Sequence, residues 1–268
     1  MCGILGYYNL DNQHPPEIDL LLAAAMITQR GDDACGAMWY APDTPKVVCY
    51  YKTAARLCDK AAHLWATMSP ETISWAAFHA RAASAGAEPA NNDNNHPVAW
   101  DSIRVMHNGI IHNKKEVFKA LGLTPLAEVD TEAIAACLAV GGIKKVIELC
   151  RGSMSLSWVD LNYPTKLNLY TNGLSPLFVT RTPSKSLVYA STDYFVPTAL
   201  LGTIGKEVPS GTHIVVDGKK VTSRNVGTAQ TPSAFSVSRS RCIAKIAIIA
   251  RYQRAGHRPA TTTLVRSS

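Results

Sequence analysis

The order of its elements constrains this chain most: strands first, helices in the middle, then strands again. Short β segments are predicted at 4–8, 47–51, 74–80 and 103–107, the last ending at an Asn108-Gly109 turn signal. Leucine and alanine at helical density mark a helix over 16–30, broken by Arg30-Gly31-Asp32-Asp33, and an alanine-rich helical piece lies near 54–67. The stretch 85–97 is polar and aperiodic, hence a loop. Asn113 followed by Glu116 resembles a capping box, and Gly122 supplies a stop, predicting a helix over 114–121. Two more helices are predicted over 130–140 and 143–150. After Gly152 the pattern returns to β, at 154–159, 167–170, 177–180, 187–190 and 213–216. Asp217-Gly218 then turns the chain into a strand at 220–222. A doubly wound sheet would need strict βα alternation. This order predicts instead an α+β protein of layered, largely antiparallel sheets.

At 268 residues, with 47% hydrophobic and 18% charged content, the chain is long enough to bury a sizeable core. Its seven cysteines are odd in number, irregularly spaced and never in a C-x-x-C pair, which points to free thiols in a reducing, cytoplasmic setting. The eight histidines show no zinc spacing, and no cofactor fingerprint or metal motif is present. No apolar run reaches membrane-spanning length, and the start lacks the charged-then-apolar pattern of a signal peptide. The net charge of +7 is concentrated at one end. Residues 225–268 hold seven basic and no acidic residues, leaving 1–224 formally neutral. The expected division is therefore a domain over 1–224 and a basic tail over 225–268.

Chemistry enters at Cys2. A small second residue permits removal of Met1, which would place a thiol and a free α-amine on one residue. Their ordinary pKa values, about 8.5 and 8, give a nucleophile beside its own base near neutral pH. Downstream, His79-Ala80-Arg81 and His107-Asn108-Gly109 close predicted strands, and Asp130 opens a helix. An Asn side chain with a nearby backbone N–H can stabilise an oxyanion. Arg81 suits a carboxylate and Asp130 an ammonium, the two charges of a free amino acid. Each residue also has a plainer reading. Cys2 could be a small buried hydrophobe, Arg81 an ion-pair residue, Asp130 a helix N-cap and Asn108-Gly109 a turn.

The chain resembles the class II glutamine amidotransferase domain, an N-terminal-nucleophile fold, and within it the glutaminase half of glucosamine-6-phosphate synthase. The resemblance rests on Cys2-Gly3-Ile4-Leu5-Gly6, Arg30-Gly31-Asp32-Asp33-Ala34-Cys35-Gly36 and His79-Ala80-Arg81-Ala82-Ala83-Ser84-Ala85-Gly86. It continues through Asn95-His96-Pro97, His107-Asn108-Gly109-Ile110-Ile111-His112-Asn113 and Asp130-Thr131-Glu132. A weaker likeness at 172–177 and 191–193 carries it to about residue 224. The tail matches nothing.

This resemblance implies a four-layer α/β/β/α sandwich of the N-terminal-nucleophile hydrolase type, hydrolysing L-glutamine to glutamate and ammonia through a Cys2 thioester without a cofactor. Cys2 would be nucleophile, with its α-amine as base through a water. Asn108 and the Gly109 N–H would form the oxyanion hole. Arg81 would hold the substrate carboxylate and Asp130 its ammonium, with Ser84 keeping the hydroxyl of the family's usual threonine. Ala82 stands where the family usually has an aromatic residue, and Ala85 where close relatives have histidine. His79, His96 and His107 are expected to be structural or to support the groups that touch substrate, since this chemistry needs no histidine, and Arg30 and Asp33 to scaffold the terminus. Nothing after residue 150 reads as an acceptor domain, so the ammonia would go to a separate synthase subunit. The basic tail would meet an acidic partner or nucleic acid, or be a solvated extension. The rival readings are another N-terminal-nucleophile amidohydrolase acting on a different amide, and a non-catalytic amidotransferase-like binding protein with a nucleic-acid- or partner-binding tail.

Overall fold

A computed structural model of the chain describes residues 2–10, 27–42, 48–68, 72–83, 87–182, 186–192 and 205–228. The predicted helix over 16–30 lies largely outside these residues, as do Ser84, Ala85 and nearly all of the basic tail. Along the chain run β1 (Gly3–Tyr8), β2 (Ala34–Tyr40), β3 (Cys49–Thr53), α1 (Leu57–Thr67) and β4 (Trp75–Arg81). Then come β5 (Val98–Trp100), β6 (Ile103–Ile111), α2 (Lys114–Leu121), α3 (Thr131–Leu149), β7 (Gly152–Asp160) and β8 (Lys166–Thr171). The last described elements are β9 (Phe178–Arg181), β10 (Leu187–Ala190), β11 (Lys206–Glu207), β12 (Thr212–Asp217) and β13 (Lys220–Asn225).

The strands form two sheets, one ordered β11-β9-β10-β1-β4-β2-β3 and the other β13-β12-β8-β7-β6-β5. Every paired neighbour is antiparallel. Three apolar clusters explain the layering. Ile4, Tyr8, Met38, Trp75 and Tyr189 of the first sheet pack against Met106, Val159, Leu167, Leu169 and Val216 of the second. Leu57, Leu64 and Trp65 of α1 cover the outer face of the first sheet, against Leu5, Trp39 and Phe78. Val117 and Phe118 of α2, with Ile134 and Cys137 of α3, cover the second sheet against Val105 and Leu156. Alternate residues of each strand thus enter opposite cores. The result is the expected α/β/β/α sandwich.

Local signals held in several places. Gly122 adopts φ +67 just past α2, the left-handed stop that glycine permits. α3 joins the two predicted helices, with non-helical backbone at Gly141 and Gly142. Other expectations need correction. Asn113 makes no cap bond; its side chain donates to Leu149 O (2.9 Å) and accepts from Arg151 N (2.8 Å), tying the start of α2 to the end of α3. Asn108-Gly109 is no turn: β6 continues through it to Ile111, paired with β7 throughout. β2 and β5 were not legible as strands. All seven residues of β2 are buried, so it shows no polar alternation. No helix among the described residues is long and apolar enough to cross a membrane.

Candidate active site

Cys2 stands at the head of β1, a strand flanked by β4 and β10 near the middle of its sheet. Gly3 pairs with Ala80, which sets Cys2 beside the end of β4, where Arg81 and Ala82 emerge. The Cys2 thiol donates to Ala82 O at 3.5 Å. Gly3 cannot be larger without displacing Ile27, since a Cβ there would lie 2.6 Å from Ile27 Cγ1. Arg30 Nε donates to Cys2 O (3.4 Å), and Asp33 Oδ2 accepts from Ala83 N (2.7 Å) while Asp33 N donates to Arg81 O (3.1 Å). Arg30 and Asp33 therefore clasp the two segments that meet at the thiol, matching the scaffolding expected of them. Burial pushes the Cys2 thiol up from its ordinary pKa, and the neighbouring Arg81 charge opposes that rise.

The second sheet supplies the facing wall. β6 carries Asn108 and Gly109 to the pocket. Gly109 has φ +148, and a Cβ on it would sit 2.0 Å from Ser153 O of β7. Only glycine lets the strands approach this closely. Asn108 is 4% exposed, and its buried Nδ2 has no hydrogen-bond partner among the described residues. An orphaned buried donor is rare in a folded protein and marks a place where a ligand atom would be accepted.

Asp130 precedes α3 but does not cap it. Its Oδ2 accepts from Ile111 N at 2.5 Å, so the carboxylate is turned toward β6. Arg81, 2% exposed, donates from one terminal nitrogen to Asn95 Oδ1 (2.8 Å) and from the other to Ala87 O (2.7 Å). Two of its five N–H donors thus hold the 87–95 loop. Burial lowers the Arg81 pKa from its high ordinary value, opposed by the neighbouring Cys2, Asp33, Asp130 and Glu88. The guanidinium stays charged.

Cys2, Arg81, Asn108, Gly109 and Asp130 together line one pocket of about 340 Å³. That volume lies at the small end of ordinary ligand sites and suits a molecule of amino-acid size. Ala82 and Ala83 form part of its wall, where the resemblance anticipated an aromatic side chain. Ser84 is the one expected site residue that the structure does not describe.

The sequence reading missed several supports. Leu174, Ser175 and Ser153 also line the pocket, and Thr131 reaches it from α3. The loop before Asp130 is pinned by Glu132, which accepts from Leu126 N (2.7 Å) and Ala127 N (2.9 Å) and pairs with Lys114 at 2.9 Å. Asn94 Oδ1 accepts from Glu128 N and Val129 N, binding that loop to the one held by Arg81. Glu132 and Asn95 were visible within quoted motifs. Their positioning work was not, because each acts on a partner outside its own motif.

A cysteine at the head of a buried central strand, opening on a pocket between two antiparallel sheets with helices outside, defines an N-terminal-nucleophile hydrolase fold. Solved structures agree on the fold. The allosteric regulatory enzyme of purine biosynthesis superposes with a TM-score of 0.68 at 18% identity, over 84% of this chain and 49% of that one. Glutamine phosphoribosylpyrophosphate amidotransferase from B. subtilis gives 0.65 at 18% identity, over the same shares. A family model described as a glutamine amidotransferase domain matches residues 80–196. Among curated relatives, glutamine–fructose-6-phosphate aminotransferase (isomerizing) of Acinetobacter baylyi is 28% identical over 193 residues, 67% of this chain and 29% of that protein. The protein of the same name from Staphylococcus epidermidis is 29% identical over 191 residues, 67% of this chain and 30% of its own length. The match thus spans under a third of these relatives. Residues 80–196 thus match a glutamine amidotransferase domain, and the chain is similar to class II glutamine amidotransferases in sequence and in fold.

Proposed function

We propose that this chain hydrolyses the side-chain amide of L-glutamine and passes the ammonia to an acceptor site outside residues 1–224. The observation that carries this reading is the single pocket that joins the Cys2 thiol to the orphaned Asn108 amide and to one fixed positive and one fixed negative charge. With Met1 removed, the Cys2 amine takes the thiol proton through a water. The thiolate adds to the amide carbon, and the resulting oxyanion is held by Asn108 Nδ2 and Gly109 N–H. The amide nitrogen leaves as ammonia, carrying the proton returned by the amine, and water then cleaves the thioester to glutamate. Arg81 binds the α-carboxylate with donors not committed to Asn95 and Ala87, and Asp130 Oδ1 binds the α-ammonium. Ser84, also expected to bind substrate, lies outside the described residues.

The curated relatives are named for amination of fructose 6-phosphate, and the match spans 29–30% of their length. The seven basic and no acidic residues of 225–268 support a role for the tail in docking an acidic acceptor enzyme or nucleic acid.

A glutamate-release assay tests the function, together with intact mass to locate the first residue. Active protein that retains Met1, or full activity in Cys2→Ala, would overturn the mechanism. Asn108→Ala should lower turnover by ~100-fold or more, whereas Asp130→Ala should chiefly raise KM. A chain ending at Arg224 should keep glutaminase activity and lose salt-sensitive association with the acceptor; equal binding at low salt would remove the docking role.

A further inference from the structure

Three imidazoles lie buried at the pocket, His96 and His107 in its lining and His79 stacked against His96, and one hydroxyl connects the first two. Thr131 Oγ1 is 3.1 Å from His96 Nε2 and 3.0 Å from His107 Nδ1. His107 Nε2 is 3.1 Å from Ser153 O, and His79 Nε2 is 3.1 Å from His107 O. His79 stacks on His96 with ring centroids 3.9 Å apart. Thr131 is 1% exposed, and its hydroxyl lies 3.5 Å from Asp130 Oδ1.

Counting protons fixes every direction in this network. A carbonyl oxygen only accepts, so His107 Nε2 and His79 Nε2 must each carry a hydrogen. Burial pushes all three imidazoles below their ordinary pKa, so each ring holds one proton. His107 Nδ1 is therefore a bare acceptor and takes the single hydrogen of Thr131. With that hydrogen spent, Thr131 oxygen can only accept, and His96 Nε2 must donate to it. The chain runs one way: His96 to Thr131 to His107 to Ser153 O. It leaves Nδ1 of His79 and of His96 bare, and these two atoms are buried without partners.

We propose that Thr131 is a positioning residue for the glutamine site, its hydroxyl bridging His96 to His107 and so locking the part of β6 that carries Asn108 and Gly109. This rests on the proposed glutaminase reading for its consequence, though not for its geometry. His107 is held at both ring nitrogens and at its carbonyl, and Asn108 is the next residue. His96, His107, Thr131 and Ser153 all border the pocket, and Thr131 acts on Asn108 through its bond to His107.

Two isosteric questions separate the hydroxyl from simple packing. Thr131→Val keeps the shape and deletes the hydroxyl; Thr131→Ser keeps the hydroxyl and deletes the methyl. Thr131→Val should lower kcat/KM for glutamine by roughly 10-fold or more, because two buried nitrogens lose their partner, with the loss chiefly in kcat. Thr131→Ser should stay within about threefold of wild type. Retained activity in the valine variant, or equal losses in both, would overturn the proposal. Imidazole ¹⁵N spectra of the unliganded wild-type chain decide the geometry without any catalysis. All three described rings should be neutral Nε2–H tautomers at pH 7, and an Nδ1–H or doubly protonated ring at His96 or His107 would overturn it. If wild type releases no glutamate, the proposed function fails while these spectra still stand as the test of the chain.

Discussion

Replacing Gly109 with alanine tests the close approach of β6 and β7 on which the candidate oxyanion hole depends. The added Cβ would lie 2.0 Å from Ser153 O and 2.6 Å from Ser153 C, both backbone atoms, and 2.7 Å from His107 Nε2. Backbone cannot swing aside as a side-chain tip can, so the strands must part by more than an ångström. Three costs follow. The backbone at φ +148 is a region that side chains rarely adopt, worth ~1–3 kcal/mol of strain. Parting the strands breaks the His107 Nε2 bond to Ser153 O and the Ile110 N bond to Ser153 Oγ, each worth ~1 kcal/mol. Together these give roughly 3–5 kcal/mol, at the upper end of single-residue effects. With an m-value of ~2–3 kcal/mol/M, the urea midpoint should fall by ~1–2 M with m unchanged. The amide of residue 109 would move with the strand, so glutamate release by the still-folded fraction should drop by ~100-fold or more. Urea unfolding followed by fluorescence and circular dichroism, with activity measured well below the midpoint, provides both numbers. An unchanged midpoint would mean that the strands do not approach this closely; a lowered midpoint with full turnover would remove Gly109 N–H from the chemistry.

Other outcomes follow from the same geometry. Cys2→Ala should abolish glutamate release while changing stability by less than ~1 kcal/mol, since the thiol's one described hydrogen bond is the long contact to Ala82 O; residual turnover above background would exclude Cys2 as nucleophile. Lys114→Met strands the Glu132 carboxylate, which is 1% exposed, and should cost ~3 kcal/mol in thermal unfolding at pH 7, mostly recovered by adding Glu132→Gln; no recovery would mean that the ion pair is not what matters. Acid should destabilise the fold through the buried histidines. Their folded pKa values are depressed, to about 3 for His79, so the unfolded chain takes the protons first. Stability is then full above pH ~6.5 and falls as pH drops toward the folded values, by roughly 2 kcal/mol at pH 5 from His79 alone. Urea midpoints that stay flat from pH 7 to 5 would contradict neutral burial of these rings.

Much of this protein was determined by sequence alone, wherever a short segment carries its own signal. The layer order follows from strands, helices and strands in succession. The Asp217-Gly218 hairpin and the left-handed stop at Gly122 follow from backbone freedom that glycine has and other residues lack. Cys2, Arg81, Asn108, Gly109 and Asp130 could be picked out because their chemistry is unusual in combination. Tertiary structure decided the rest. β2 is hidden from periodicity because packing on both faces removes the polar half of the pattern. Asn108-Gly109 reads locally as a turn, yet pairing with β7 keeps it extended, and the tight approach of Ser153 is what demands the glycine. Asp130 reads as a cap for its own helix but turns to Ile111 N, 19 residues back, and Thr131 divides its hydroxyl between His96 and His107. A local segment encodes which backbone conformations are cheap. Which donor meets which acceptor is settled only when the two sheets close, because a buried polar group must then take whatever partner the packing brings within reach.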